Sequence, residues 1–107
     1  MTLPQPHIVT VFRNRLRRGA ETAYGELAPR ITELAHSMPG FVDVKTFSSP
    51  DGERVTIVTF DSREHHDAWR DHPDHRVAQQ RGIDEFYETY SIQVAEITYS
   101  HLFSRPG

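Results

Sequence analysis

The stretch that decides the fold is MPGFVDVKTFSSPDGERVTIVTF, residues 38–60. Residues 41–47 and 54–60 are rich in β-branched and aromatic side chains, which is typical of strands. The SPDG motif at residues 49–52 predicts a tight turn between them, because proline presets φ and glycine accepts a positive φ. These two strands should therefore form an antiparallel hairpin, and the Pro-Gly pair at residues 39–40 should end the element before it.

A strand and a helix precede this hairpin. Residues 7–16 predict a strand, with apolar β-branched and aromatic side chains on both of its faces. After a break at Arg18-Gly19, apolar side chains recur every three or four residues, the period of a helix with one apolar face. The positions concerned are Tyr24, Leu27, Ala28, Ile31, Leu34, Ala35 and Met38. Pro29 lies within this pattern and predicts a kink or a slight interruption.

Two further helical segments and a strand follow the hairpin. Asp61 and Glu64 have the spacing of a capping box and predict a short helix through Trp69. Pro73 suits the first turn of another helix. We expect that helix to run to about Tyr90, with a split at Gly82, and a last strand to cover residues 91–103.

The predicted order is strand, helix, strand, strand, helices, strand, which is the α+β, ferredoxin-like βαββαβ arrangement. Right-handed crossovers place the helices on one face of a four-stranded antiparallel sheet. The first and last strands carry apolar side chains on both faces, whereas a sheet with one wet face alternates between apolar and polar side chains. We therefore expect a second copy to cover the other face, giving a homodimer that forms a dimeric α+β barrel.

A single domain over residues 7–103 follows from this pattern, between a flexible N-terminal arm at residues 1–6 and a C-terminal tail at residues 104–107. The 12 Lys and Arg and 15 Asp and Glu residues give a net charge of −3, which disfavours nucleic acid as a partner. The absence of cysteine excludes disulfides and thiolate metal sites. The sequence shows no signal-peptide pattern and no apolar run long enough to span a bilayer, so we expect a cytoplasmic protein without a membrane partner.

Five short motifs carry a resemblance to a known family. They are MPGF at residues 38–41, VTF at 58–60, AWR at 68–70, HPDHR at 72–76 and FY at 86–87. Together they resemble the antibiotic-biosynthesis monooxygenase (ABM) family of dimeric α+β barrels. The resemblance implies a homodimer with a cavity between sheet and helices in each subunit. Family members include cofactor-independent oxygenases of aromatic polyketides, haem-degrading oxygenases and proteins without an assigned reaction.

The resemblance argues against haem as a cofactor. Haem-degrading relatives place an axial histidine about ten residues after the helix tryptophan, and Gln79 occupies that position here. His75, the nearest candidate, is only six residues past Trp69. An amide does not replace imidazole as a haem ligand. We therefore expect no cofactor, and haem would require His72 or His75 to turn inward.

The candidate site residues fall into two groups. We predict catalytic roles for Asn14, Trp69, His72 and His75, and substrate-binding roles for Phe12, Tyr24, Arg76, Phe86, Tyr87 and Tyr90. An imidazole titrates near neutral pH and suits a general base. Asn14 could instead bond the backbone of a loop at the end of its strand. Trp69 could instead seal the core, a reading that is compatible with a cavity wall.

The histidine cluster has a second interpretation as a metal site. His65, His66, His72 and His75 lie close together in the sequence, but a metal needs at least three converging ligands. We favour surface or capping histidines and predict no metal. On the last strand, Ile92, Val94 and Glu96 share a face. If that face forms the dimer interface, Glu96 needs a partner; the alternative is that it is exposed at the sheet edge.

Three functions fit these residues. The first is a cofactor-independent monooxygenase that oxidises a small aromatic or polycyclic compound with O₂. Such a protein must hold the substrate, accept a proton and stabilise the resulting anion, for which Asn14 and Arg76 are candidates. The second is a haem-degrading oxygenase of the same fold. The third is a non-catalytic dimeric barrel that binds a small ligand.

Overall fold

The computed structural model describes residues 5–107, so most of the predicted N-terminal arm, residues 1–4, lies outside the described residues. The elements are β1 (Ile8–Leu16), α1 (Glu21–Ser37), β2 (Phe41–Ser48), β3 (Arg54–Phe60), α2 (Arg63–Arg70), α3 (Pro73–Arg81) and β4 (Tyr87–Glu96). A π-helical turn, Gly82–Phe86, joins α3 to β4. This order confirms the predicted ferredoxin-like βαββαβ fold.

The four strands form one antiparallel sheet in the order β2-β3-β1-β4. The core lies between this sheet and the helices. Ala35 of α1 and Trp69 of α2 pack against Val58 and Phe60 of β3, and all four side chains are buried. Because side chains alternate along a strand, the other residues on this side of β3 and their partners on β1 also face the helices.

The turn and the helix stop of residues 38–60 form as predicted. The Ser49 N–H donates to the Glu53 carbonyl at 2.8 Å, and Gly52 has a φ of 93°. Gly40 has a φ of 80° and also passes so close to the side chains of Asp61 and His65 that a Cβ would collide with both. Glycine is therefore required at residue 40 by both conformation and space.

The predicted boundary between the last helix and the last strand is wrong. The helix ends at Arg81 instead of Tyr90, and β4 runs from Tyr87 to Glu96. Tyr87 and Tyr90 pair with β1 and pack against Phe12, with ring centroids 5.4 and 5.9 Å away. This tertiary pairing overrides a weak local helical pattern.

The strand also ends earlier than predicted, and residues 97–107 have no regular secondary structure. The Ile97 N–H donates to the His7 carbonyl at 2.9 Å. β1 itself begins at Ile8, so β4 soon runs past the start of the strand with which it pairs. Backbone pairing therefore stops near residue 97.

The predictions for the start of α2 and for the middle of α1 are also revised. The N-cap of α2 is Ser62, whose Oγ accepts the His65 N–H at 3.2 Å, so Asp61 and Glu64 do not form the capping box. Asp61 instead bonds the His65 ring at 2.7 Å. The helix α1 runs through Pro29 without interruption, because Pro29 is exposed and lies where the unbonded carbonyl of the preceding turn can meet water.

The pairing of β4 with β1 shows which residues of the sheet face away from the helices, where a second copy of the chain could pack. Ile92 and Val94 lie opposite Phe12 and Thr10, on the face that the helices cover. In the single chain, Glu96 is exposed at the sheet edge, 3.6 Å from Arg63. The far face instead carries apolar residues that are half-buried in the single chain, namely Val9, Val11, Val55 and Ile57.

Phe60 tests the core directly. It is fully buried, and its ring stacks on Trp69 at 5.2 Å and meets Phe41 at 6.0 Å. We expect Phe60→Ala to lower the free energy of unfolding by about 3–5 kcal/mol, because it removes burial and leaves a cavity. Urea denaturation followed by circular dichroism measures the loss.

The matched control is Tyr99→Ala, since Tyr99 is an aromatic residue that is 80% exposed. Its effect should stay within about 0.5 kcal/mol. If Phe60→Ala does not fold, Phe60→Leu should still show a loss of up to about 1.5 kcal/mol. Equal losses at residues 60 and 99 would contradict this description of the core.

Candidate active site

A cavity of about 380 Å³ lies between the helices and the helix-facing side of the sheet. This volume is within the range of small-molecule sites, roughly 300–1,000 Å³. The lining is mostly apolar and aromatic, with a few polar groups. The lining includes Thr10, Phe12, Tyr24, Arg54, His66, Trp69, His75, Gln79, Phe86, Tyr87 and Tyr90. Ile92 and Val94 also line the cavity while remaining nearly half exposed, so it opens along the edge strand β4.

An aromatic cluster forms one end of the cavity, where all five predicted aromatic substrate-binding residues lie. Phe12 meets Tyr87 and Tyr90, and Tyr24 meets Phe86 and Tyr87, with ring centroids between 5.4 and 6.1 Å apart. Burial, followed by the nearby Tyr24, raises the pKa of Tyr87 above its usual value. Tyr87 therefore keeps its proton and can donate a hydrogen bond.

Two cations, Arg54 and Arg70, line the cavity, and the sequence analysis singled out neither of them as a site residue. The Arg54 guanidinium lies 4.5 Å from the centre of the Tyr24 ring, and its Nε is buried without a hydrogen bond. Arg76, predicted for a binding role, is exposed, pairs with Asp71 at 2.9 Å and does not line the cavity. The strict alternation of β3, which puts Arg54 on the same face as Val58 and Phe60, is the signal that could have found it.

Asn14 is buried beside the cavity but is not among the residues that line it. Its side chain is 1% exposed, and neither Oδ1 nor Nδ2 has a hydrogen-bond partner in the described chain. It therefore does not bond a loop backbone, and β1 continues beyond it to Leu16. Across the ladder it faces Arg54 and Tyr90, which do line the cavity. A buried amide without a partner is costly, so this end of the cavity favours a polar ligand atom or a water.

Trp69 lies both in the core and in the cavity wall, the two positions considered for it. Its ring stacks on Phe60 in the core, and it also forms part of the cavity wall. The Nε1 atom is buried without a hydrogen-bond partner. This indole is thus an apolar wall with an unused donor.

His75 packs against Trp69, with ring centroids 4.4 Å apart. Its Nδ1 lies 3.2 Å from the Arg70 carbonyl oxygen, which can only accept, so Nδ1 carries the hydrogen and Nε2 is an acceptor. Burial lowers the pKa of His75. His75 therefore provides a neutral imidazole in the cavity wall.

His72 lies outside the cavity, contrary to the expectation that it takes part in the chemistry. It is the N-cap of α3, and its Nδ1 accepts the Asp74 N–H at 3.1 Å. Capping was the alternative interpretation of this histidine. Within residues 5–107, no group of three or more histidine, aspartate or glutamate side chains is arranged to hold a metal ion.

A second histidine lines the cavity, and the expectation of a surface or capping role is wrong for it, because His66 is buried between the helix and the sheet. His66 is 1% exposed, its Nε2 lies 3.0 Å from the Thr10 hydroxyl, and its Nδ1 lies 2.7 Å from an Asp67 carboxylate oxygen. Thr10 lines the cavity as well. The spacing of His66 three residues before Trp69, on one helix face, is the signal that could have indicated it.

Comparisons with known proteins agree with this architecture. A model of the family described as "Antibiotic biosynthesis monooxygenase" matches residues 7–81. The uncharacterized protein YqjZ of Bacillus subtilis is 33% identical over 100 residues, covering 94% of this chain and 88% of that protein.

Two solved structures show the same fold at low identity. Protein SO0527 from Shewanella oneidensis superposes with a TM-score of 0.78 at 13% identity, covering 90% of this chain and 95% of that one. SnoaB, a cofactor-independent oxygenase from Streptomyces nogalater, superposes with a TM-score of 0.72 at 14% identity, covering 95% and 99%. No helix within residues 5–107 is long and apolar enough to cross a membrane.

The lowered pKa of His75 predicts how stability depends on pH. Because burial lowers this pKa in the folded state, the unfolded chain binds more protons once the pH falls to about 6.5 or below. The folded state should therefore lose stability as the pH falls through that value. We expect His75→Gln to lose less stability than the wild type between pH 7.5 and pH 5.5 in urea titrations. His101→Gln, a change at an exposed histidine, should retain the wild-type loss; identical pH dependence in all three proteins would contradict the assignment.

Proposed function

The chain belongs to the antibiotic biosynthesis monooxygenase family, and from this premise we propose that it is a cofactor-independent monooxygenase of a small aromatic or polycyclic compound. The observation that carries the proposal is the juxtaposition of His75 and Trp69 in the wall of an aromatic-lined cavity. A flat apolar wall holds an aromatic ring, and a neutral imidazole beside it can accept a proton.

The proposed chemistry begins with binding of the aromatic substrate against Trp69. The Nε2 atom of His75 accepts a proton from the substrate, and the resulting anion is electron-rich. A carbon of that anion forms a C–O bond with O₂, and the proton returned from His75 completes a hydroperoxide. Loss of water then breaks the O–O bond and the second C–H bond and leaves a carbonyl, so the substrate supplies all four electrons (CH₂ + O₂ → C=O + H₂O). The Arg54 guanidinium stabilises the negative charge in a site with little water, where electrostatic interactions are strong.

The binding groups divide between the two ends of the cavity. The aromatic cluster around Phe12 and Tyr87 encloses the far end of a polycyclic substrate. The Tyr87 hydroxyl adjoins Tyr24 and is protonated at neutral pH, so it is a candidate donor to a substrate carbonyl. Asn14, which has no partner of its own and lies beside the cavity, is the candidate for a further polar contact through an ordered water.

A haem-degrading oxygenase is the second candidate, and one observation favours it. His75 donates its Nδ1 hydrogen to a backbone carbonyl, as metal-bound histidines commonly do. Against it, the residue at the position of the relatives' axial ligand is Gln79, which lines the cavity with an amide. We therefore retain the cofactor-independent reaction as the proposal.

We also propose that the protein is a homodimer. The far face of the sheet presents Val9, Val11, Val55 and Ile57 as a half-buried apolar surface. Apolar surface of this kind on one chain is commonly covered by a second copy. The dimer would leave the helix-covered face, and with it the cavity, within each subunit.

Turnover assays separate the two predicted histidines. With oxygen-reactive naphthols and anthrones as substrates and an oxygen electrode as the readout, His75→Gln should lower kcat by about 10²–10⁴, the usual contribution of a general base. KM should change little, because the aromatic walls remain. His72→Gln is the matched comparison, and it should cost stability through loss of the helix cap while leaving kcat within about twofold. A kcat unaffected by His75→Gln would exclude His75 as the base.

The dimer is tested at the centre of the far face. Ile57 lies opposite Val11 on β1 and Lys45 on β2. We expect sedimentation velocity at micromolar concentration to show a dimer, which should bury more than about 1,000 Å² in total. Ile57→Lys should shift the protein to monomer, because it would bury an unpaired charge. Thr22→Lys on the exposed side of α1 should remain dimeric; a monomeric wild type would contradict the proposal.

A further inference from the structure

Three side chains form a continuous hydrogen-bonded chain from the cavity to the protein surface. Thr10 and His66 both line the cavity, His66 is 1% exposed, and the Asp67 side chain is 36% exposed. The distances are 3.0 Å from the Thr10 hydroxyl to Nε2 of His66 and 2.7 Å from Nδ1 to the Asp67 carboxylate. The proposed function makes no use of this chain.

We propose that Thr10, held by His66 and Asp67, is a hydrogen-bond acceptor that selects ligands carrying a hydroxyl group. This inference rests on the proposed function, since it assumes that an aromatic ligand occupies the cavity. Thr10 is the specificity-determining residue. His66 and Asp67 are positioning residues, because they act on the ligand through the threonine.

The carboxylate of Asp67 determines which atom donates in each of the two hydrogen bonds. A carboxylate oxygen can only accept, so Nδ1 of His66 carries the hydrogen that Asp67 receives. In the neutral imidazole, Nε2 is then an acceptor, and the Thr10 hydroxyl must donate its hydrogen to it. The remaining lone pairs of the Thr10 oxygen are therefore left to accept a hydrogen bond from the cavity.

The surroundings of Thr10 make this acceptor selective. Its neighbours across the ladder are Val58 and Val94, both apolar and both lining the cavity. A ligand hydroxyl at this wall can donate a hydrogen bond to the Thr10 oxygen. An ether or a bare ring edge cannot donate, so it removes water from the Thr10 oxygen without replacing the hydrogen bond that the oxygen could accept. Sites built to bond a hydroxyl reject analogues that lack it for this reason.

The hydrogen bonds of His66 and His75 also give these two histidines of the cavity different roles. The rings of His66 and His75 both adjoin Trp69, at centroid distances of 5.9 and 4.4 Å. Nε2 of His66 is occupied by Thr10, whereas Nδ1 of His75 is bonded to the backbone and its Nε2 is an acceptor. His75 therefore remains the residue for proton abstraction, and His66 fixes the direction in which Thr10 points its hydrogen.

The test compares the binding of 1-naphthol and of its methyl ether, 1-methoxynaphthalene, by isothermal titration calorimetry in the absence of O₂, so that the naphthol is bound without being oxidised. We expect the wild type to bind the naphthol about tenfold more tightly than the ether, the value of one net hydrogen bond. Thr10→Val, which keeps the shape and removes the hydroxyl, should reduce this preference to about twofold or less. Thr10→Ser, which restores a hydroxyl, should recover the preference. Because each variant is compared across the same pair of probes, differences in probe hydrophobicity cancel.

The positioning role of His66 has its own variant. His66→Leu removes the acceptor behind Thr10, so the threonine hydroxyl becomes free to donate to the ether oxygen. We expect the preference for the naphthol to fall to about threefold or less while the ether binds at least as well as in the wild type. The matched controls are His65→Leu, on the same helix but bonded to Asp61, and Thr89→Val, an exposed threonine on β4. Both should keep the wild-type preference, and circular dichroism should show every variant folded.

The outcomes distinguish this inference from the proposed function. If the wild type binds both probes equally, or if Thr10→Val keeps the full preference, the selection by Thr10 is wrong and an aromatic-binding cavity remains. A preference kept in full by His66→Leu would overturn the positioning role. If neither probe binds the wild type, the proposed function fails and this inference fails with it.

Discussion

The antiparallel pairing of β1 with β3 is the constraint on which the rest of the structure depends. At one end of the pair, Ile8 lies opposite Phe60, and both side chains are fully buried in the core. Towards the other end, Phe12 lies opposite Thr56 and Asn14 opposite Arg54, where the helices no longer fill the space. One face of two strands therefore changes within seven residues from packed core to cavity wall. The burial of apolar area at the first end therefore holds in place the strand segments that form the cavity wall at the second.

Three buried polar groups without hydrogen bonds lie in or beside this cavity. They are the amide of Asn14, Nε of Arg54 and Nε1 of Trp69. Each unsatisfied group costs roughly 1–3 kcal/mol relative to a paired one. Their concentration in one place is consistent with the proposed binding role, because such groups commonly cluster at functional sites. A ligand or ordered waters that satisfy these groups would recover part of the cost.

Much of the fold could be predicted from the sequence because its signals are local. The SPDG turn, the Pro-Gly helix stop and the periodicity of α1 each depend on a few neighbouring residues. The start of β4 could not be predicted, since Tyr87 and Tyr90 join the sheet through packing against Phe12 on a distant strand. The site divides in the same way. The aromatic lining, Trp69 and His75 lie in the cavity wall, as predicted. The positions of Arg54, Thr10 and His66 in the cavity depend on strand register and helix direction, which only the folded chain defines. The same holds for the positions of His72 and Arg76 outside the cavity.

The position of Trp69 has an optical consequence. It is the only tryptophan of the chain, so the indole emission of the whole protein comes from one ring in the cavity wall. Its surroundings are two imidazoles and Phe60, within 5.9 Å between ring centroids. A ligand that stacks on this ring changes the polarity around it and displaces whatever solvent it contacts. The native protein thus contains its own fluorescent reporter of cavity occupancy, and no label needs to be attached.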